Sequence, residues 1–240
     1  GRANRTIFAL GDPASPIHRP WHLGQGTCTI VLTCDHEEAH YAGLERRFER
    51  VPMLVRSWSV DRSYQSLKSS TIPPEEKTKK LSWITSSLNL LEGHAARMRF
   101  LQELQGQVSF DLYGRGFREI HDKWQALAPY RYSLAYENYR APLVMSEKLM
   151  DCFVAETMPI YYGSPAVTDY FPSESMVIID PEDPDVFRII ADVAASDRWL
   201  KNRDAILEAK RITLDEMNAF KRLAQFIRHE HATTEPDPQQ

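Results

Sequence analysis

The sequence has few cysteines, no long apolar run and no excess of positive charge. Its three cysteines, Cys28, Cys34 and Cys152, are too sparse for a disulfide framework, and none forms a C-x-x-C pair. The longest aliphatic stretch, residues 176–179, is far shorter than the roughly 20 apolar residues of a membrane span. A formal net charge of −4 gives no electrostatic case for nucleic acid as the main partner. We therefore expect no membrane-spanning segment in this chain and no nucleic-acid surface.

The composition is that of an ordinary globular chain. Its 240 residues are 42% hydrophobic and 26% charged, without a low-complexity tract. A chain of this length buries roughly 70 to 75% of its unfolded surface, so it needs neither metal nor disulfides to form a core.

A polar stretch at residues 66–80, which contains a Pro-Pro pair and a charge cluster, is typical of a linker. It divides the chain into a small domain at 1–65 and a larger one at 81–211. An amphipathic helix is expected at 212–231, where it would pack back on a neighbouring unit, and a frayed tail at 232–240.

The larger domain alternates strand and helix patterns. The predicted strands are 81–86, 108–113, 132–136, 159–162 and 176–179, and the predicted helices are 95–104, 117–127, 146–156 and 186–194. Strands separated by such helices predict a Rossmann-like parallel sheet covered on both faces. Ligands bind to such a sheet at the carboxyl ends of its strands.

The small domain reads as a minimal βαβ unit, with strands at 27–33 and 52–58 and a helix at 36–50. This helix begins with an H-E-x-x-H pattern, in which His36 and His40 would face one zinc ion and Glu37 would deprotonate its water. Arg46 stands where the longer zinc-protease pattern needs a third ligand. The alternative is a charged first turn with Asp35 as the N-cap.

A second segment leads from the strand at 132–136 into the helix that follows it. Ser146 is a good N-cap, and the positive end of its helix favours an anionic ligand. Lys148 would add a positive charge that binds a phosphate, and Glu147 would accept hydrogen bonds from ribose hydroxyls. Arg97, on the helix after the first strand, would reach the same ligand. The alternative is that all three charges are merely solvated or stabilise the helix start.

At these residues the chain resembles the alpha-1,3-fucosyltransferase family, which are inverting glycosyltransferases of the GT-B fold. The similarity covers about residues 77–180. It is carried by the order and spacing of LSWITS at 81–86, ARMRF at 96–100, DLYG at 111–114, YSLAYEN at 132–138, SEK at 146–148 and MPIYYGSP at 158–165.

The resemblance implies a GT-B-like fold, with the nucleotide-sugar donor bound by residues 81–211 and the acceptor by a reduced domain at 1–65. It implies transfer of fucose from GDP-fucose, or a related nucleotide sugar, to a glycan hydroxyl, with no cofactor and no metal. Arg97 and Lys148 then hold the diphosphate and Glu147 the ribose. The donor-binding set expected here is Arg97, Glu137, Asn138, Ser146, Glu147 and Lys148. The candidates for the catalytic base are Asp35 and Glu37.

Two departures from the family pattern keep other functions open. Val144 stands where the family usually has a tyrosine that meets the donor phosphate, and the first domain is much shorter than usual. The runner-up is a non-catalytic scaffold, or a subunit that binds protein partners in a larger assembly. A zinc hydrolase using His36 and His40 is the third hypothesis. The compartment is open: the Golgi lumen for an active eukaryotic enzyme, the cytoplasm for a bacterial one.

Overall fold

The computed structural model describes residues 7–9, 30–34, 47–52 and 57–232, and all structural statements below concern these residues. They form two parallel sheets. The first contains β1 (Ile7–Ala9), β2 (Ile30–Thr33) and β3 (Arg47–Arg50), in that order. Among the described helices, none has the length and apolar character required to cross a membrane.

The second sheet has five parallel strands in the order β5-β4-β6-β7-β8. They are β4 (Lys79–Ile84), β5 (Asp111–Tyr113), β6 (Tyr130–Tyr136), β7 (Met158–Tyr162) and β8 (Val177–Ile178). The helices are α1 (Tyr64–Ser69), α2 (Glu92–Gln105), α3 (Glu147–Val154), α4 (Val186–Ala195), α5 (Arg198–Lys201), α6 (Arg203–Asp215) and α7 (Ala219–Ala232). The predicted Rossmann-like parallel sheet is confirmed.

The second sheet is buried on both faces. One core cluster contains Tyr132, Leu134 and Tyr136 of β6 and is completed by residues of α2 and α4. The other contains Ala135 of β6 and Tyr161 of β7, packed against α3 and α6. Because apolar residues are needed on both sides, β7 is a continuous apolar run, whereas β6 also buries Ser133, whose hydroxyl donates to the Ser82 carbonyl.

Two helices differ from the expectation. The segment 117–127 contains no α-helix, only a 3₁₀ turn at Lys123–Ala126. The Asp122 carboxylate accepts the Trp124 N–H there, a local bond that competes with helix formation. The helix expected at 212–231 is divided into α6 and α7, because the Asn218 side chain accepts the N–H groups of Phe220 and Lys221 and starts a new helix.

The first domain also differs. β3 occupies Arg47–Arg50, the end of the segment expected to be helical, while residues 51–52 and 57–58 are not in a strand. Arg47 and Arg50 are exposed on an outer strand of the described sheet, where charged side chains are tolerated. The helix predicted from the sequence at 36–50 is therefore wrong for residues 47–50. The rest of the expected helix at 36–50 lies outside the described residues.

Residues 66–80 run against the second sheet, with Leu67 and Ile72 buried. Their main anchor is Glu156, whose carboxylate accepts the Ile72 N–H at 3.0 Å, Lys210 Nζ at 2.9 Å and Arg203 Nη2 at 3.2 Å. Glu156 adopts a left-handed backbone, with φ of 53°. Three donors on one buried carboxylate hold that unfavourable conformation in place.

The last helix connects the two sheets. Near its start, Arg222 Nη1 donates to the carbonyl of Pro52 at 3.1 Å, and near its end Glu230 pairs with Arg47 of β3 at 2.8 Å. Both contacts hold α7 against the first domain, at β3 and at Pro52 after it.

Lys77 is a buried lysine near Glu156. Its Nζ donates to the carbonyl of Ala155 at 2.7 Å and to the Thr157 hydroxyl at 2.9 Å. Burial lowers the pKa of Lys77 from 10.5 to about 7. Because the unfolded chain binds a proton that the folded chain lacks between these two values, Lys77 makes stability rise with pH in that window.

We predict that Lys77→Met removes this rise. Urea unfolding between pH 7 and pH 9.5 would show a free energy of unfolding that increases less with pH than that of the parent chain. Lys201→Met, which changes an exposed lysine on α5, serves as the control and would keep the parent slope. Equal slopes for Lys77→Met and the parent would contradict the assignment.

Candidate functional site

The strand order reverses at β4, which has β5 on one side and β6 on the other. In open parallel sheets, the crevice beyond the carboxyl ends of such strands is the usual ligand site. The chain leaving β4 continues through residues 85–91 into α2, and the chain leaving β6 continues through residues 137–146 into α3. Every predicted donor-binding residue lies on these two loops or on the helices that follow them.

Arg97 is held at this crevice from both loops. Its Nη1 donates to Asn138 Oδ1 at 2.6 Å, and its Nη2 donates to the carbonyls of Ser86 at 2.9 Å and Leu88 at 3.1 Å. The contact requires Gly93, because a Cβ there would lie 1.7 Å from the Asn138 carbonyl oxygen. Glycine lets α2 approach the end of β6 and brings Arg97 and Asn138 together.

The charge of Arg97 is not balanced within the site. The residue is only 3% exposed, its Nε has no hydrogen-bond partner, and no described carboxylate forms an ion pair with its guanidinium. Burial lowers the pKa of Arg97 from its usual value, although an arginine stays protonated. A buried cation without a counter-ion is unfavourable in isolation, so this position favours an anionic ligand.

Glu137, directly after β6, organises the start of α3. Its carboxylate accepts the Ser146 N–H at 2.8 Å, the Ser146 hydroxyl at 2.7 Å and Lys148 Nζ at 3.2 Å. Gly163 leaves room for it, since a Cβ there would lie 2.6 Å from Glu137 Cγ. The Ser146 hydroxyl in turn accepts the Lys148 N–H at 3.2 Å, which confirms the predicted N-cap.

Lys148 is the second cation of the site. Burial alone would lower the pKa of Lys148, but the charges of Glu137 and Glu147 outweigh it, so the pKa lies above its ordinary value. The side chain is 26% exposed. Lys148 therefore stays protonated and remains open to a ligand from the solvent side.

Glu147 lies between two lysines. Its Oε1 is 3.8 Å from Lys148 Nζ and 3.7 Å from Lys123 Nζ. Burial would raise the pKa of Glu147, but Lys148 and Lys123 together hold it below its usual value. The side chain is 30% exposed, so this ionised carboxylate is open to hydroxyl donors.

Two residues at the site were missed by sequence reasoning. One is Lys123, whose turn was expected to be helical. The other is His94, which lies one turn before Arg97 on α2. Burial lowers the pKa of His94, and the charges of Arg97 and Lys148 lower it further. His94 could have been predicted at the site, because residues three apart on a helix, such as His94 and Arg97, lie on the same face.

The loop between β6 and α3 also contacts the first domain. Val144 and Ala141 are buried in a small cluster with Cys34, the residue that follows β2. We call the loop at residues 137–146 the donor-side loop, after the donor-binding residues expected on it. The end of β2 therefore meets this loop. Asp35 and Glu37, the candidates for the base, come next in the chain and lie outside the described residues, as do His36 and His40 of the zinc hypothesis. No metal-binding group of His, Cys, Asp or Glu is found in the described part of the chain.

Comparison with known proteins identifies a related family over part of the chain. Residues 74–192, almost half of the chain, match the family model described as glycosyltransferase family 10 (fucosyltransferase), C-terminal part. Over this segment the chain resembles the family 10 fucosyltransferases. The resemblance inferred from the sequence motifs is confirmed.

Individual fucosyltransferases are distant relatives. Human GDP-fucose protein O-fucosyltransferase 3 is 28% identical over 127 residues, which is 47% of this chain and 26% of the relative. Rat 4-galactosyl-N-acetylglucosaminide 3-alpha-L-fucosyltransferase 9 is 25% identical over 148 residues, or 58% and 40% of the two chains. The aligned segments thus span only a quarter to two fifths of these relatives.

Solved structures extend the likeness to both sheets. An alpha1,3-fucosyltransferase with GDP-fucose superposes with a TM-score of 0.53 at 15% identity, over 90% of this chain and 76% of that one. Anabaena HepE in complex with UDP-glucose superposes with a TM-score of 0.61 at 11% identity, over 94% and 72%. At these identities the likeness shows the fold. The fold is GT-B, as the family 10 resemblance implied.

Glu137→Gln tests whether the Glu137 carboxylate supports the start of α3. The amide cannot balance Lys148 and cannot accept from all three donors, so we expect unfolding to require about 1–3 kcal/mol less free energy. Urea denaturation measures this difference. Glu208→Gln, at an exposed position on α6, is the matched control and would change stability little. A Glu137→Gln protein as stable as the parent would show that the carboxylate does not support the site.

Proposed function

We propose that this chain provides the donor-binding half of a glycosyltransferase that moves fucose from GDP-fucose to a glycan hydroxyl with inversion. The observation that carries the proposal is the buried, uncompensated charge of Arg97, beside Lys148, at the point where the strand order of the second sheet reverses. The family 10 resemblance over residues 74–192 supports fucose as the sugar.

A diphosphate is the ligand that suits this pair of cations. Arg97 uses three of its roughly five N–H donors within the protein. Nε is buried without a partner in the described protein, and we assign it to a phosphate oxygen of the bound diphosphate, beside which Lys148 adds a second positive charge. Asn138, Ser146 and Glu137 hold these two cations in place, and Glu147 accepts the ribose hydroxyls of the nucleotide.

The same groups act in the transfer step. The C–O bond between the sugar and the diphosphate breaks, and negative charge develops on the departing GDP. Arg97 and Lys148 stabilise that charge because they are already oriented, with no reorganisation needed during the reaction. No metal is required for this role.

The acceptor oxygen attacks the anomeric carbon from the face opposite to the nucleotide, which inverts its configuration. A carboxylate removes the proton of that hydroxyl as the new bond forms. We assign this role to Asp35 or Glu37. Support comes from Cys34, the residue before Asp35, which packs against Ala141 and Val144 of the donor-side loop.

A scaffold without catalysis is the second candidate function, and Val144 favours it. This residue is buried against Ala141 and Cys34 and offers no hydroxyl to a donor phosphate. Isothermal titration with GDP and GDP-fucose separates the two candidates. Binding in the micromolar range supports the transferase, whereas the absence of binding to the intact chain refutes it and leaves the scaffold.

Arg97→Gln and Lys148→Gln are predicted to weaken GDP binding at least tenfold and to slow fucose transfer by about a hundredfold or more, because each removes a donor to the developing charge. Titration calorimetry and a GDP-release assay measure the two effects. Arg99→Gln, an exposed position two residues along the same helix, is the matched control. Unchanged binding and turnover in both site variants would refute the assignment of this site.

A further inference from the structure

Lys123 makes two contacts with one face of α3. Its Nζ lies 2.8 Å from Asp151 Oδ2 and 3.7 Å from Glu147 Oε1. Glu147 and Asp151 are four residues apart on the helix and therefore neighbours on its surface. Without a cation between them, these two carboxylates would repel each other, so Lys123 fixes both.

The position of Lys123 is set by its own turn. It is the first residue of the 3₁₀ turn at Lys123–Ala126, whose N-cap Asp122 accepts the Trp124 N–H. Asp122 also accepts the N–H of Asp61 at 3.0 Å, which belongs to the segment between the two sheets. The lysine stem thus starts from a fixed backbone.

Asp151 is fixed as well. It is 1% exposed and accepts the Ser59 N–H at 2.5 Å. Glu147 is different, because its side chain is 30% exposed. Of the two carboxylates that Lys123 touches, only Glu147 is free to meet a ligand.

Glu147 is also pulled by Lys148, 3.8 Å away on the other side. In the proposed function, Lys148 binds the diphosphate. If Lys123 were absent, the Glu147 carboxylate would move towards Lys148 and neutralise the cation that the diphosphate needs. The hydrogen bonds between Glu147 and the ribose hydroxyls would then be lost. Lys123 balances this attraction.

We propose that Lys123 is a positioning residue for the donor nucleotide, which holds the Glu147 carboxylate where it accepts the ribose hydroxyls. The proposal rests on the proposed function, since it takes a guanine ribonucleotide as the ligand of this crevice. Lys123 acts through Glu147 and makes no contact with the nucleotide itself.

The test is ribose discrimination in the intact chain. Titration calorimetry gives Kd for GDP, 2′-deoxy-GDP and 3′-deoxy-GDP, and the larger deoxy-to-GDP ratio measures the Glu147 contact. We expect a ratio of about ten or more for the parent, because a hydroxyl bonded to a carboxylate is lost. Glu147→Gln gives the reference ratio when the carboxylate itself is removed.

Lys123→Met would leave Asp151 buried without its cation, so folding is protected by combining it with Asp151→Asn, whose amide oxygen still accepts from Ser59. We expect the double variant to fall to within a factor of about two of the Glu147→Gln ratio. Asp151→Asn alone and Lys123→Arg are expected to keep the parent ratio, since both retain a cation beside Glu147.

Two outcomes overturn different statements. The first outcome is that the parent binds GDP, and the double variant keeps the parent ratio while it binds all three nucleotides more weakly by the same factor. Lys123 is then merely structural, and this proposal alone is wrong. If the folded parent binds neither GDP nor its deoxy forms, the proposed function fails and the ribose role of Lys123 fails with it.

Discussion

The buried carboxylate of Glu137 is the constraint on which the rest of the site depends. It leaves the carboxyl end of the central strand with a negative charge that must be satisfied inside the protein, and Ser146 and Lys148 satisfy it. The same bonds start α3, fix its direction and hold Lys148 at the crevice. One group thereby links the sheet, the helix and the second cation, while the next residue, Asn138, holds Arg97.

The second domain was largely predictable because its physical requirements are local and repeated. A strand buried on both faces is a continuous apolar run, as at β7, and a helix with one buried face has its buried apolar residues four apart, as at Val186, Ile190 and Ala194 of α4. The errors came from side chains that compete with the backbone. In the segment 117–127, predicted to be a helix, the Asp122 side chain caps a short turn instead. In the helix predicted at 212–231, the Asn218 side chain caps the start of a second helix. Both are single polar residues within otherwise helical spacing.

The candidate site was predictable where its residues are close in sequence. Ser146, Glu147 and Lys148 follow a strand and begin a helix, so their grouping could be derived from the chain alone. The state of Arg97 could not, because its burial depends on Asn138, 41 residues away, and on the close approach that Gly93 allows. The contact between Lys123 and Asp151 could not be predicted for the same reason, because the relative position of their two segments is defined only by the folded sheet.

Val144 shows how the two domains share the site. Where the resemblance implies a tyrosine that meets the donor phosphate, this chain has an aliphatic residue buried against Cys34 at the end of β2. A hydroxyl at that depth would need a partner, whereas valine instead adds apolar contact between the donor-side loop and the first domain. In the proposed reaction, the charge on the departing diphosphate is then stabilised by Arg97 and Lys148 alone. Their carbonyl, amide and carboxylate partners hold both cations in place before any ligand arrives, so the proposed site is preorganised without the tyrosine.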